Sequence, residues 1–253
     1  FLIDLNVADY NAHFVIHPEE VYMRLSRLNL YKAAGPDGIP TWLLKEGAPI
    51  LSEPIAALFN ASIREGFVPS IWKSAEVVPI PKVRPPKSIE SDLRPISLLP
   101  VLAKTLESFV RDWTMDRLAP TLDSNQFGCL KNRSTAHALI SMFHLWQSAL
   151  DSGNSVRALF IDFSKAFDRV NHTIILNKLR SRGLPNFLLK WFYSFLSQRR
   201  QRVRVLGELS VWLELVGSIP QGSILGPLLF LTLIDDLDAG CHIHKYVDDT
   251  TLS

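Results

Sequence analysis

The run Ile243-His-Lys-Tyr-Val-Asp-Asp-Thr-Thr-Leu252 decides the fold: an apolar strand reaches two adjacent aspartates, and a second β-rich run can return from them. A second strand, Ala158-Leu-Phe-Ile-Asp162, also ends in a carboxylate. Aspartates at the end of a buried run repel each other and are costly without a counter-charge. A hard divalent cation is the usual remedy. The pattern therefore predicts a cation site shared by these carboxylates, although Asp-Asp alone is also common in polar turns.

The segments around these strands mix amphipathic helices with hairpin-like strands. Apolar residues at 4-3-4 spacing predict a helix over 101–118, for example, and alternation predicts a strand over 202–205. This mixture favours an α+β fold over a regular βαβ array. The other predicted helices lie near 18–28, 52–65, 134–150, 173–182, after Pro185 and from Pro227 to about Gly240, and the other strand lies at 75–80.

Composition indicates an ordinary globular chain with a real core, since 47% of its 253 residues are hydrophobic and 21% are charged. The two cysteines, Cys129 and Cys241, are too few for a disulfide scaffold and indicate a reduced, intracellular setting without a disulfide-linked partner. No signal peptide is evident. The apolar run 215–234 is interrupted by prolines and glycines, which predicts buried core rather than a membrane span.

Charge is distributed unevenly along the second half of the chain. Basic residues and no acidic ones occur from Arg169 to Gly207, whereas acidic residues dominate from Glu208 onward. A basic belt beside an acidic pocket suits a protein that binds a polyanion and gathers cations, although a solvated helix face is the alternative. The predicted phosphate contacts are Arg199, Arg200, Arg202 and Arg204.

Cys241-His-Ile-His244 suggests a zinc site only superficially. Structural zinc needs four ligands, and Cys129 is the single spare cysteine. We interpret these residues as ordinary strand positions.

Seven short motifs occur in a fixed order and resemble those of reverse transcriptases of the non-LTR (LINE-like) branch. The resemblance covers the chain from about Pro18 to Ser253. The finger-type motifs are Lys32-Ala-Ala-Gly-Pro-Asp-Gly-Ile39, Val78-Pro-Ile-Pro-Lys82, Arg94-Pro-Ile-Ser-Leu-Leu99 and Gln126-Phe-Gly128. The palm motifs A, B and C are Phe160-Ile-Asp-Phe-Ser-Lys-Ala-Phe-Asp-Arg-Val-Asn-His172, Ile219-Pro-Gln-Gly-Ser-Ile-Leu-Gly-Pro-Leu-Leu-Phe230 and Tyr246-Val-Asp-Asp249.

The resemblance implies a two-metal nucleotidyltransferase. Asp162 and Asp248 would be the direct ligands of two Mg²⁺ ions, with Mn²⁺ as a possible substitute, and Asp249 would complete the catalytic cluster. The backbone carbonyl of Phe163 would contact the metal on the nucleotide side. Val247 stands where the common family form has Ala, and a small apolar residue is kept there.

Further residues would bind the incoming nucleotide. Phe167 matches the aromatic steric gate that excludes a ribose 2′-hydroxyl. Gln221 and Gly222 match the motif B turn beside nucleotide and template. Arg94 and Lys82 resemble the residues that grip the triphosphate, where Arg suits bidentate contacts and Lys a point charge.

The implied architecture is the right-hand polymerase fold, with an antiparallel palm sheet packed on helices. Residues 1–98, with an N-terminal extension, and 119–155 would form the fingers. Residues 99–118 would be a palm helix, and 156–253 would form the rest of the palm. We expect the thumb to be absent.

The implied partners are an RNA template, a DNA primer and dNTPs. The family suggests a cytoplasmic RNA-protein particle that reaches the nucleus. Three alternatives stay open at this point: a group II intron-type reverse transcriptase with maturase function, a viral RNA-dependent RNA polymerase, and a non-catalytic remnant that only binds RNA.

Overall fold

The computed structural model describes residues 14–253, apart from the side chain of Glu90, and these residues form an α+β fold with two sheets. The first 13 residues of the predicted finger segment lie outside this range. The helices are α1 (Pro18–Ser26), α2 (Thr41–Glu46), α3 (Ala48–Glu65), α4 (Ile89–Asp92), α5 (Val101–Leu118), α6 (Thr135–Asp151), α7 (His172–Ser181), α8 (Asn186–Leu196) and α9 (Gly226–Ile234). The strands are β1 (Ser74–Pro81), β2 (Leu93–Leu98), β3 (Leu159–Ile161), β4 (Arg199–Val205), β5 (Glu208–Leu209), β6 (Leu213–Leu215), β7 (Ile243–Tyr246) and β8 (Asp249–Leu252).

The smaller sheet carries the strands that end in aspartate. Its order is β3-β8-β7, and both pairings are antiparallel. The strand β8 is the predicted return from Asp-Asp, and it begins at Asp249 itself. The antiparallel sheet expected around these carboxylates is therefore confirmed.

The larger sheet has the order β2-β1-β4-β5, with β6 also paired to β4. The strands β1 and β2 form an antiparallel hairpin, whereas β4 joins β1 in parallel. Residues 199–215 were grouped with the palm from the sequence, but they share a sheet with strands grouped with the fingers. The sheet thus joins chain segments that are more than a hundred residues apart.

A continuous hydrophobic core packs α3, α5, α8 and α9 together. The helix α8 contributes large aromatic side chains, and Trp191 and Phe192 are almost completely buried. The helix α9 is held to the smaller sheet by Lys245, a fully buried residue of β7. Its ammonium donates to the carbonyls of Ile234 and Asp235 at the end of α9 and pairs with Asp123.

The sequence predicted most helices closely. Both α5 and the end of α3 at Gly66, which adopts a left-handed φ of 61°, match the prediction. The strand β2 was missed, because Pro95 and the charged residues before it are typical of a loop. Leu58, an apolar residue of the helix predicted over 52–65, is 43% exposed. In α6 the apolar side chains of Leu139, Phe143 and Leu150 are also exposed.

Candidate active site

The aspartates of the two strands converge at one end of the smaller sheet. The register pairs Ile161 with Thr250, so one step further Asp162 faces Asp249, while Asp248 lies in the turn between β7 and β8. Burial raises the pKa of Asp248, and the negative charges of Asp249 and Asp162 raise it further. The three carboxylates are therefore close enough to repel one another.

The donor set has the chemistry that magnesium or manganese prefers. Asp162 and Asp249 are exposed and Asp248 is partly buried, so their oxygens can reach substrate and water. Within residues 14–253, however, no three His, Cys, Asp or Glu side chains are already arranged around a metal position. Magnesium is commonly held by one or two carboxylates with substrate phosphates. The residues fit a cation site that substrate would complete.

The loop that carries Gln221 and Gly222 is pinned to β2 by backbone contacts. The amide of Ser97 donates to the carbonyl of Gln221 at 2.7 Å. Gly222 has a φ of 122°, and a Cβ there would stand 2.7 Å from the Ser97 carbonyl oxygen. Only glycine fits this close approach. The structure thus joins the motif B loop to the strand that carries Arg94.

Phe167, a residue of motif A, contacts both ends of motif B. Its ring stacks on Phe230 of α9, with centroids 5.2 Å apart, and its carbonyl accepts from the amide of Ile219 at 2.9 Å. The side chain is partly buried against the core. Nearby, His172 Nε2 contacts the carbonyl of Ser218 at 2.8 Å. The predicted gate is therefore firmly fixed by its neighbours.

Sequence reasoning missed Glu107, a completely buried carboxylate on α5. One of its oxygens accepts hydrogen bonds from Ser223 Oγ at 2.7 Å, from the amide of Ile224 at 2.7 Å and from the amide of Leu225 at 3.3 Å. These donors lie directly after Gly222 and lead into α9. Burial raises the pKa of Glu107 in spite of these bonds. The sequence did carry a signal for this residue, because Glu107 is an acidic residue directly after Leu106 of the apolar face of α5.

Lys82 and Arg94 lie together at the loop end of the β1–β2 hairpin. Ile80 pairs with Arg94, and the amide of Lys82 donates to the carbonyl of Asp92 at 2.7 Å. Both side chains are exposed. Arg94 is three residues from Ser97, or roughly 10 Å along the strand. Its strand is thus the one that touches the motif B loop.

The four arginines of the predicted basic belt do not share one environment. Arg199 is buried with 1% of its surface exposed, so the predicted phosphate contact at this residue is wrong. Its guanidinium donates to the carbonyl of Phe195 at 2.8 Å, and burial lowers its pKa to about 10 while the charge of Glu107 opposes that change. Arg199 therefore provides a buried positive charge near Glu107.

The other three arginines alternate along β4 and so share the opposite face. Arg202 and Arg204 both pair with Glu76 of β1. Arg200 and Arg202 also lie over the ring of Trp212, at 4.8 and 4.5 Å from its centroid. Arg200 is exposed, whereas Arg202 and Arg204 are partly exposed. This face keeps a positive charge that is partly neutralised by one carboxylate.

Cys241 and His244, which were considered above as zinc ligands, lie in different environments. His244 is buried, stacks on Phe127 and contacts Ser141 Oγ through Nε2 at 3.1 Å. Cys241 is exposed.

Comparison with known proteins agrees with this geometry. Residues 80–253, more than half of the chain, match the family described as "Reverse transcriptase (RNA-dependent DNA polymerase)". The chain belongs to the reverse transcriptase family. The resemblance inferred from the ordered motifs is thereby confirmed.

This reverse transcriptase chain is similar to curated insect retroelement proteins. It is 32% identical to the probable RNA-directed DNA polymerase from transposon BS of Drosophila melanogaster, over 88% of the chain and 25% of that protein. It is 30% identical to the RNA-directed DNA polymerase from mobile element jockey of the same species, over 92% of the chain and 27% of that protein.

A third relative is the putative 115 kDa protein in the type-1 retrotransposable element R1DM of Drosophila melanogaster, at 31% identity over 92% of the chain and 23% of that protein. The chain thus spans about a quarter of the length of the curated relatives it matches. These relatives favour the non-LTR branch over the group II intron alternative. Among residues 14–253, no helix combines the length and apolar character needed for a membrane span.

Proposed function

We propose that this chain catalyses RNA-directed DNA synthesis, in which a primer 3′-oxygen attacks the α-phosphorus of a dNTP opposite an RNA template and pyrophosphate leaves. The observation that carries the proposal is the convergence of Asp162 with Asp248 and Asp249. Family membership supports it. Its similarity to polymerases of mobile elements indicates that the chain comes from a non-LTR retroelement.

Asp162 and Asp248 would hold two Mg²⁺ ions, or Mn²⁺ in their place, together with the carbonyl of Phe163, and Asp249 would complete the negative charge. Bound ions of this kind activate the attacking hydroxyl and stabilise the leaving phosphate. The mutual repulsion of the carboxylates supports this assignment, because a cation would relieve it. The protein's own contribution is chiefly to position and orient the reacting groups.

The nucleotide would lie between the carboxylates and the β1–β2 hairpin. Arg94 and Lys82 would bind its phosphates, since both are exposed at the hairpin's loop end. Gln221 and Gly222 would line the base and template side, held there by Ser97. The ring of Phe167 would lie beside the sugar of the nucleotide and exclude a 2′-hydroxyl.

The right-hand division into fingers and palm is part of the proposal. Residues 99–118 and 156–253 would form most of the palm, and residues 1–98 and 119–155 most of the fingers. Because β4 shares a sheet with β1 and β2, residues 199–215 would link the fingers to the palm. Template and primer phosphates would contact the face of β4 that carries Arg200, Arg202 and Arg204.

Primer extension tests the proposed function directly. A DNA primer annealed to an RNA template is incubated with the chain, one complementary dNTP and MgCl₂. We expect the primer to grow by one nucleotide, and we expect EDTA to abolish growth. Extension that is absent with both Mg²⁺ and Mn²⁺ would overturn the proposal, and template binding without extension would favour the RNA-binding alternative.

Replacing the gate residue is expected to weaken sugar discrimination. In Phe167→Val the ring no longer blocks a 2′-hydroxyl, so the ratio of kcat/KM for dNTP to that for the matching NTP should fall about tenfold or more. Single-nucleotide extension with dNTP and NTP measures this ratio. Phe143→Val, on the exposed face of α6, is the matched control and should leave it unchanged. An unchanged ratio in Phe167→Val would remove this residue from the nucleotide site.

Arg200, the exposed arginine of β4, predicts a salt-dependent contribution to RNA binding. Arg200→Ala should lower the slope of log K against log salt for single-stranded RNA by about 0.7, the value for one phosphate contact. Fluorescence anisotropy with labelled RNA measures the slope. Arg64→Ala, an exposed arginine on α3, is the control. Equal slopes for Arg200→Ala and the unmodified chain would exclude a phosphate contact at Arg200.

A further inference from the structure

The finger-type motif Gln126-Phe-Gly128 lies against the outer edge of β7, next to the turn between β7 and β8 that carries Asp248. The amide of Phe127 donates to the carbonyl of Lys245 at 2.8 Å, and the amide of Lys245 donates to the carbonyl of Asn125 at 2.9 Å. Gln126 and Lys245 form a parallel β-bridge. This segment therefore extends the smaller sheet beyond β7, on the side opposite β8.

The Gln126 side chain reaches the turn itself. It is 1% exposed, and its Oε1 accepts hydrogen bonds from the amide of Gly128 at 2.8 Å and from the amide of Val247 at 3.1 Å. Both neighbours are donors, so the amide must present oxygen and not nitrogen to them. The orientation of this side chain is thus fixed by its surroundings.

Val247 occupies a backbone conformation that needs support. Its φ is 60°, in the left-handed region that a β-branched residue rarely adopts. The residue precedes Asp248 directly. A Cβ on Gly128 would stand 2.6 Å from both the amide nitrogen and Cγ2 of Val247, so the motif's glycine lets the two segments touch. The Gln126 side chain thus accepts a hydrogen bond from this turn, and the backbone of Gly128 packs against it.

We infer that Gln126 is a positioning residue for the reaction proposed above: its amide oxygen holds Val247 in the left-handed conformation that directs Asp248 toward Asp162. The inference rests on the proposed function. A glutamine suits this position because it offers a neutral acceptor. A carboxylate would add a fourth negative charge beside three aspartates that already repel one another.

Two substitutions separate the acceptor from the shape of the side chain. Gln126→Met keeps the length but accepts no hydrogen bond, whereas Gln126→Glu keeps an acceptor. We expect the amides of Val247 and Gly128 to exchange with solvent about tenfold faster in Gln126→Met, as loss of one hydrogen bond predicts, and to keep their protection in Gln126→Glu. Amide exchange followed by NMR measures this without any polymerase activity.

Kinetics then distinguish positioning from general support of the fold. In single-nucleotide extension, kcat of Gln126→Met should fall about tenfold or more, while KM for dNTP stays within about twofold because the nucleotide-binding residues are untouched. Gln147→Met, at an exposed glutamine on α6 whose side chain donates to Asp151, is the matched control.

The possible outcomes separate the two proposals. An active unmodified chain with an unchanged kcat in Gln126→Met would overturn the positioning role and leave the polymerase function intact. A fall in kcat and a rise in KM of equal size would indicate a general structural role and would also overturn it. An unmodified chain that extends no primer would overturn both proposals.

Discussion

Asp248→Asn is expected to abolish primer extension, with a loss of roughly a thousandfold or more in kcat. The substitution keeps the size and polarity of the side chain but removes the charge that would hold a divalent cation. Asp248 is also the carboxylate that both neighbouring aspartates repel. Single-nucleotide extension at saturating dNTP and Mg²⁺ measures the effect.

The matched control for this charge change is Asp151→Asn at the end of α6. Asp151 is exposed and accepts a hydrogen bond from the side chain of Gln147. We expect it to extend primers at the unmodified rate. Activity of Asp248→Asn within about tenfold of that rate would mean that the residue is no metal ligand.

Glu107→Ala should have the largest effect on stability, lowering the free energy of unfolding by about 3 kcal/mol or more. The substitution leaves the hydroxyl of Ser223 and the amide of Ile224 without their acceptor, and it removes one of the two acceptors of the Leu225 amide. It also leaves the buried charge of Arg199 without the carboxylate that favours it. Urea denaturation followed by circular dichroism measures the change.

Glu53→Ala on the exposed side of α3 controls for loss of a glutamate from a helix and should change the free energy of unfolding by less than about 0.5 kcal/mol. A similarly small change in Glu107→Ala would show that the loop before α9 does not depend on this carboxylate. Glu107→Gln should retain part of the lost stability, because its amide oxygen can still accept.

Much of the site could be predicted from sequence because its signals are local. Each aspartate follows a short apolar run, and Thr250 to Leu252 offers an obvious returning strand. Alternation of side chains then places the carboxylates at a strand end. Asp162 was expected to lie near the Asp248–Asp249 turn, and this requires only that the two strands pair in one sheet. The antiparallel pairing of β3 with β8 brings them together in that way.

The basic belt shows where local reasoning stopped. Four arginines within six residues were treated as one surface, although a period of two already separates Arg199 from Arg200, Arg202 and Arg204. Which face is buried depends on β4 pairing in parallel with β1, more than a hundred residues away. No local pattern reports such a pairing, and no local pattern places Glu107 near Arg199.

The finger-type motif shows a second limit. Gln126 and Gly128 were grouped with the fingers by their resemblance to a family motif, yet they contact the turn between β7 and β8. Their partners lie about 120 residues further along the chain. Side-chain contacts over that distance depend on the complete fold. The same holds for α6, whose helical period was predicted correctly but whose apolar stripe is largely exposed.

The most direct test of the account is the position of a bound metal. Crystals of the chain soaked with MnCl₂ and a dNTP are measured at the manganese absorption edge. We predict anomalous density about 2.2 Å from carboxylate oxygens of both Asp162 and Asp248. Manganese bound at other residues, with no density between these two carboxylates, would contradict the claim that they form one catalytic cation site.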